Sequence, residues 1–149
     1  ANSQGEAIER LSKALNGFGV PPSPSVVELT SPKGLLQLLT HEIGRAIRSI
    51  HLIAPAEAYP ILGPGLRRAV TAGLEVVLAA QVPVQLQFAR VEAIPSGFEW
   101  PGLPLVAILD GNSAVIGARG GVDVLGHWSS APPFVAAARV TCERLRAAP

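Results

Sequence analysis

The first residues of the chain carry a narrow apolar stripe. Ile8, Leu11 and Leu15 recur at a spacing of three and four residues, which predicts a short helix over residues 6–16. Because so few apolar positions cannot hold an isolated helix in water, we expect this helix to pack on its own domain or on a second copy. Residues 18–25, which are rich in Pro and Gly, predict an extended connector to the rest of the chain.

Apolar residues at helical spacing predict three further helices beyond the connector. The first begins with Ser31 as N-cap and Pro32 at its first position, and the last begins near Pro132. The middle helix runs from about Pro64 to Ala72 and is ended by Gly73. Their expected buried faces consist, in chain order, of Leu35, Leu36, Leu39, Ile43, Ala46, Ile47 and Ile50; of Leu66, Ala69 and Val70; and of Phe134, Ala138, Thr141, Cys142 and Leu145.

Short apolar runs, often β-branched, separate these helices and are typical of strands. They occupy residues 25–30, 50–55, 74–80, 84–94 and 122–128, and residues 102–121 predict a β-hairpin in which Asp-Gly-Asn joins two apolar runs. The runs VVLAA and LVAIL contain no polar residue, so we expect them near the centre of a sheet that is covered on both faces. The pattern predicts one α/β domain, a mixed β-sheet with helices on both faces.

Composition and charge exclude several classes of protein. Although 48% of the residues are hydrophobic, no apolar run reaches the ~18 residues of a membrane span, so we expect a soluble protein without membrane contact. A single cysteine cannot form an intramolecular disulfide, and the first residues do not resemble a signal peptide, so we expect a cytoplasmic location. A net charge of +1 gives no broad basic surface for nucleic acid. His41, His51 and His127 have no companion at metal-ligand spacing, and Cys142 is a single cysteine, so we expect no metal site and no cofactor.

The order of the elements resembles a known family. The segments VVELTSPKGLLQLLTHEIGRAIRSIHLIAP, GLRRAVTAGLEVVLAA, LVAILDGNSAVIGA and HWSSAPPFVAAARVTCERL resemble, in sequence order, the phospholipase D-like effector domain of TrmB-type transcriptional regulators. The resemblance implies that residues 26–149 are this effector domain and that residues 1–17 are the tail of a linker or dimerisation helix. It also implies a homodimer that contacts DNA only through an N-terminal winged helix outside this chain.

Two leucines stand where catalytic groups are needed. Active relatives of phospholipase D carry H-x-K-x4-D in this hairpin, with a glycine seven residues after the aspartate. Asp110 and Gly117 fit that spacing, but the histidine position is Leu103 and the lysine position is Leu105. Because leucine can neither attack phosphorus nor bind its charge, we expect no catalysis. Asp110 is then a turn residue whose carboxylate accepts backbone N–H bonds near the residues that follow it, Gly111 and Asn112.

A ligand site is expected beyond the carboxyl ends of the strands, where open α/β sheets have their crevice. The residues that follow the predicted strands and could bind a ligand are Glu57, Tyr59, Gln81, Asp110, His127 and Trp128. Aromatic and neutral or acidic groups suit a small polar, uncharged molecule better than an anion, which would need converging arginines.

We therefore interpret the sequence as the effector-sensing and dimerisation domain of a transcriptional regulator. Two other functions stay open on the sequence alone. One is a divergent phosphodiesterase or hydrolase of the phospholipase D-like fold, and the other is a structural interaction module without a ligand.

Overall fold

The structure is a computed structural model that describes residues 26–95 and 99–147. The helix expected over residues 6–16, with its stripe of Ile8, Leu11 and Leu15, lies outside the described residues, as does the connector at 18–25. The described residues form a seven-stranded sheet flanked by α-helices. No helix within these ranges is long and apolar enough to cross a membrane.

Strands and helices alternate up to the third strand, and the hairpin region then precedes a final helix. The strands are β1 (Val26–Leu29), β2 (Ser49–Ile53), β3 (Glu75–Ala80), β4 (Val91–Ala93), β5 (Leu103–Leu109), β6 (Ser113–Gly120) and β7 (Asp123–Ser129). The helices are α1 (Pro32–Arg45), α2 (Tyr59–Thr71) and α3 (Pro132–Ala147), and a single 3₁₀ turn, Ala56–Ala58, leads into α2.

The sheet is mixed, as the sequence predicts. Its strand order is β1-β7-β6-β5-β2-β3-β4. The pairs β2–β3 and β3–β4 are parallel, and every other neighbouring pair is antiparallel. The LVAIL run lies in β5 at the middle of the sheet, and the VVLAA run lies in β3, which has a paired strand on each side.

Helices cover both faces of the sheet, which confirms the predicted layers. On one face α1 and α2 pack against β2, β3 and β5, and the core there includes Leu39, Leu66 and Leu105. On the other face α3 packs against the alternate side chains of β5, such as Val106. The buried side of α3 consists of Val135, Ala138, Cys142 and Leu145. The sequence therefore missed Val135, and the expected Phe134 and Thr141 are only half-buried.

The first helix begins as predicted but ends early. The Oγ of Ser31 accepts the N–H of Gly34 at 3.0 Å, which is the expected N-cap. The helix ends at Arg45 because Ala46 adopts an extended conformation (ψ 139°). The expected buried face was therefore wrong at its end, since Ile47 is 77% exposed and Ile50 belongs to β2.

Two other segments differ from the sequence-based expectation. The second helix begins earlier than expected, at Tyr59, because the buried side chain of Tyr59 anchors its first turn in the core, and Pro64 lies inside the helix. The strand expected over residues 84–94 is reduced to β4. Side chains of residues 84–90, including Leu86 and Phe88, pack partly buried on the core from irregular backbone, so their alternation reflects coverage of the core without strand pairing.

Candidate functional site

The side chain of Asp110 fastens the β5–β6 turn to the start of β2. Its Oδ1 accepts the backbone N–H groups of Ile47 at 3.1 Å, Arg48 at 2.7 Å and Ser49 at 3.0 Å, and its Oδ2 also lies 3.1 Å from the Ile47 nitrogen. The backbone N–H of Asp110 donates to the Ser49 carbonyl at 2.8 Å. These bonds end α1, because the N–H groups that would extend the helix are directed at the carboxylate.

The partners expected for Asp110 from the sequence were wrong. Its carboxylate binds the segment between α1 and β2, not the neighbouring backbone of Gly111 and Asn112. The residue is nevertheless a turn residue, since its φ of 57° lies in the left-handed region that Asp tolerates better than most residues.

The hydrogen bonds keep this carboxyl ionised. Burial alone would raise the pKa of Asp110, but the N–H groups of Ser49, Arg48 and Ile47 and the positive charge of Arg48 together hold it below its ordinary value. The Arg48 guanidinium also donates to the Asp110 carbonyl at 3.1 Å. Asp110 is therefore an anchored anion at this end of the sheet.

A groove of about 560 Å³ opens beside this turn, between the end of α1 and the end of β7. We call it the Asp110 groove, and its lining includes Glu42, Arg45, Ile47, Asp110, Ser113 and Trp128. Two of the residues expected at a ligand site, Asp110 and Trp128, are therefore brought together here. The groove lies at the amino-terminal end of β2, because β5 runs antiparallel to β2.

Glu42 is a functional candidate that the sequence analysis missed. It is 8% exposed, and its Oε1 accepts the indole N–H of Trp128 at 2.8 Å. The only salt-bridge partner of Glu42 among the described residues is Arg45, whose Nη1 lies 3.7 Å from Oε2 and whose side chain is 71% exposed. The sequence did hold a signal, since Glu42 is a charged residue on the apolar stripe of α1, three residues after Leu39.

Glu57 and Gln81 lie at the opposite end of the sheet, in a second and smaller space. This β2–β3 cleft has a volume of about 160 Å³ and is also lined by Leu103, Pro104 and Arg119. The guanidinium of Arg119 forms an ion pair with Glu57 and also donates to the Gly121 carbonyl. Among the described residues that line the cleft there is no histidine and no lysine.

The two leucines of β5 differ in their surroundings. Leu103 is half-buried and lines the β2–β3 cleft, so a histidine at this position would have faced open space. Leu105 is 5% exposed and belongs to the core between the sheet and the helices α1 and α2. Leu105 is thus an integral core residue of this fold.

The remaining two predicted ligand residues, Tyr59 and His127, line neither the Asp110 groove nor the β2–β3 cleft. Tyr59 is fully buried, and its hydroxyl donates to the Ala79 carbonyl at 2.7 Å. Burial raises the pKa of Tyr59 well above its ordinary value, although the hydrogen bond to Ala79 opposes this. His127 lies on the α3 face of the sheet, with its Nε2 3.9 Å from Oε2 of Glu28. The six predicted residues are therefore divided among the Asp110 groove, the β2–β3 cleft, the core and the far face.

Gly117, which follows Asp110 at the expected spacing, has a structural role. It pairs with Gly126 of β7, and a Cβ added at Gly117 would lie 2.8 Å from the Leu125 carbonyl oxygen. The Gly117 carbonyl accepts the indole N–H of Trp100 at 3.0 Å. The close approach of two strands therefore requires glycine here.

In the part of the chain that the structure describes, no group of three or more His, Cys, Asp or Glu residues could hold a metal ion.

Comparison with known proteins identifies the type of fold. No family model matches the chain, and no curated protein matches it. Among solved structures, NucT from Helicobacter pylori is 10% identical with a TM-score of 0.63, covering 82% of this chain and 95% of NucT. Nuc from Salmonella typhimurium, a phospholipase D family member, is 16% identical with a TM-score of 0.60, covering 82% of this chain and 93% of Nuc.

A third solved structure is the archaeal chromatin protein TrmBL2. It is 14% identical with a TM-score of 0.62, and the match covers 96% of this chain and 60% of TrmBL2. At such identities the likeness concerns the fold alone. The seven-stranded mixed sheet with helices on both faces is a phospholipase D-like fold.

Proposed function

We propose that this chain is the effector-sensing and dimerisation domain of a transcriptional regulator and that it catalyses no reaction. The observation that carries the proposal is the pair Leu103 and Leu105 in β5. They occupy the positions at which active relatives of phospholipase D carry a nucleophilic histidine and a phosphate-binding lysine. Aliphatic side chains can neither attack phosphorus nor neutralise the charge that develops on it.

The small volume of the β2–β3 cleft and the pairing of its arginine support the proposed absence of catalysis. Its volume of about 160 Å³ is below the ~300 Å³ at which ordinary ligand sites begin. Its one arginine, Arg119, is paired with Glu57 and with the Gly121 carbonyl, so an incoming phosphate would have to displace these partners. The described residues of the cleft therefore supply neither the reacting groups nor the free cation that phosphoryl transfer needs.

The Asp110 groove supports a binding role. Its volume of about 560 Å³ lies within the ~300–1,000 Å³ of small-molecule sites. The groove combines the indole of Trp128 with the exposed aliphatic chain of Ile47 and the carboxylates of Glu42 and Asp110. An aromatic surface with a few polar groups is the usual composition of a site for a small polar effector.

The likeness to TrmBL2 supports the regulatory assignment. TrmBL2 is described as a chromatin protein with a novel mode of DNA binding, and its fold matches this chain over 96% of the chain's length. We infer that this domain acts with a DNA-binding winged helix outside the chain, because a net charge of +1 gives the domain no broad basic surface of its own. The likeness to Nuc supports a second candidate function, a divergent phosphodiesterase, which an assay of phosphodiester hydrolysis tests.

A metabolite screen by thermal shift tests the binding role. We expect at least one small polar metabolite to stabilise the chain, since a ligand at 100 times its Kd adds about 2.7 kcal/mol. For a domain of this size that raises Tm by roughly 5–10 °C. Trp128→Ala should abolish the shift, measured against the variant's own Tm without ligand.

The matched control for this screen is Gln81→Ala in the β2–β3 cleft, which should keep the full shift. A shift that survives in Trp128→Ala and is lost in Gln81→Ala would move the effector site to the cleft. The absence of any stabilising metabolite would favour an interaction module without a ligand.

We also propose that the stripe of Ile8, Leu11 and Leu15 pairs two copies of the chain. Pairing would remove these side chains from water, which contributes roughly 25 cal/mol per Å² of apolar surface. Sedimentation equilibrium at micromolar concentration should therefore find a dimer that Leu11→Asp converts to a monomer. Lys13→Asp, on the opposite side of the predicted helix, should leave the dimer intact. A monomer in the unaltered chain would contradict the proposed pairing through this stripe.

A further inference from the structure

We propose that the Asp110 groove binds a small organic cation, a molecule with a primary ammonium group on an apolar body. This inference rests on the proposed effector-binding role and names the chemical class of the effector. It replaces the uncharged ligand expected from the sequence with a cationic one, because the sequence did not place Glu42 and the end of α1 in the site.

Two carboxylates of the groove supply the negative charge. Glu42 is nine-tenths buried, and its Oε1 is occupied by the Trp128 indole while Oε2 has only the long 3.7 Å contact to Arg45. Asp110 directs its Oδ1 at three backbone N–H groups, whereas Oδ2 has one shared contact, to the Ile47 nitrogen. Each carboxylate therefore keeps one oxygen with spare acceptor capacity beside the groove.

The end of α1 adds negative potential at the same place. This helix of 14 residues ends at Arg45, which lines the groove together with Ala46 and Ile47. The carbonyl groups of a last helical turn carry the equivalent of about half a negative charge, and they favour cations placed close to them. Within residues 26–95 and 99–147, only the Ile43 carbonyl of this turn is capped by the backbone, through the N–H of Ala46 at 3.3 Å.

The remaining lining suits the two parts of such a ligand. Ser113 is 8% exposed and lines the groove, and among the described residues its hydroxyl has no hydrogen-bond partner, so it can accept from an ammonium group. The indole of Trp128 attracts cations to its face, and the exposed Ile47 offers an aliphatic contact for the ligand body. Hydrogen-bond acceptors, an aromatic ring and an aliphatic side chain thus line the same groove.

Arg45 is the cation that now neutralises the groove. Its side chain is 71% exposed, and its contact with Glu42 is longer than a hydrogen bond. Because only this one long contact holds the exposed guanidinium, a ligand ammonium that binds Oε2 more closely can replace it. Arg48 also offsets part of the Asp110 charge from the side of the turn, but it does not line the groove.

Isothermal titration calorimetry with a matched set of probes tests the inference on the full chain. The probes are 2-phenylethylamine, its neutral counterpart 2-phenylethanol and the anion phenylacetate, at pH 7 and low salt. We expect the amine to bind at least about tenfold more tightly than the alcohol, a difference of ~1.4 kcal/mol, and phenylacetate not to bind. Glu42→Gln should weaken the amine about tenfold and leave the alcohol unchanged.

Two further variants keep the test decisive if Glu42→Gln folds poorly. Arg45→Ala changes an exposed side chain and should tighten the amine by a few-fold, because the competing cation is removed. Glu143→Gln, which lines a different cavity beneath α3, should have no effect.

Equal binding of amine and alcohol, or an affinity for the amine that Arg45→Ala lowers, would overturn the cationic assignment. Such a result would leave the effector role intact if the metabolite screen still gave a stabilising molecule that requires Trp128. A failure of both experiments would remove the effector role itself.

Discussion

Leu105→Lys is expected to destabilise the domain by about 3–5 kcal/mol, because it replaces a core leucine with an ammonium group that has no buried partner. This is a large share of the ~5–15 kcal/mol that holds a typical domain together. Urea denaturation followed by circular dichroism measures the change. The cost of the substitution therefore measures how strongly position 105 depends on an apolar side chain.

Leu103→Lys is the matched control in the same strand. Leu103 is half-buried at the β2–β3 cleft, so a lysine there can keep its ammonium group in water and should cost about 1 kcal/mol. Leu105→Met, which conserves volume, should cost less than ~1.5 kcal/mol. Similar costs for the two lysine variants would contradict the burial of Leu105.

Asp110→Ala is expected to cost about 2–4 kcal/mol. It removes the acceptor for the N–H groups of Ile47, Arg48 and Ser49 and places alanine at a φ of 57°. Asp110→Gly removes the same acceptor without the backbone strain, so it should cost about 1 kcal/mol less. Asp123→Ala, at an exposed aspartate that begins β7, is the control and should be within ~0.5 kcal/mol of the unaltered chain.

The cost of Asp110→Ala should depend on pH. The pKa of Asp110 is lower in the folded than in the unfolded chain, so its ionised form stabilises the fold above the unfolded pKa of about 3.9. This contribution is lost as the pH falls through the folded pKa. Denaturation at pH 7 and near pH 3 should therefore show the difference between Asp110→Ala and the unaltered chain shrinking at the lower pH. A difference independent of pH would mean that the carboxylate charge does not contribute.

Most of the fold could be predicted from the sequence, because in most segments the local sequence signals agree with the burial of the side chains. The unbroken LVAIL run and the Asp-Gly turn identify the hairpin of β5 and β6, and Ser31 with Pro32 identifies the start of α1. The end of α1 could not be predicted, since it is set by hydrogen bonds to Asp110, more than 60 residues away in the chain. A helical stripe that includes Ile47 carries no sign of that contact.

The candidate site was predicted less well, and the reason is the direction of the strands. The expectation that residues after each strand converge holds for parallel strands, and only the pairs β2–β3 and β3–β4 are parallel. Because β5 runs antiparallel to β2, Asp110 lies at the start of β2, while Glu57 and Gln81 lie beyond the ends of β2 and β3. Asp110 and Trp128 do share a groove, but Glu42, which completes it, comes from a helix.

Hydrolysis of bis(4-nitrophenyl) phosphate by the full chain tests the proposal that this domain of phospholipase D-like fold catalyses no phosphodiester hydrolysis. With Leu103 and Leu105 in place of the reacting groups, we expect no release of 4-nitrophenolate above a protein-free blank at any pH from 5 to 9. Turnover by the purified chain that is abolished by Arg119→Gln in the β2–β3 cleft, and retained by the exposed variant Arg67→Gln, would contradict the claim.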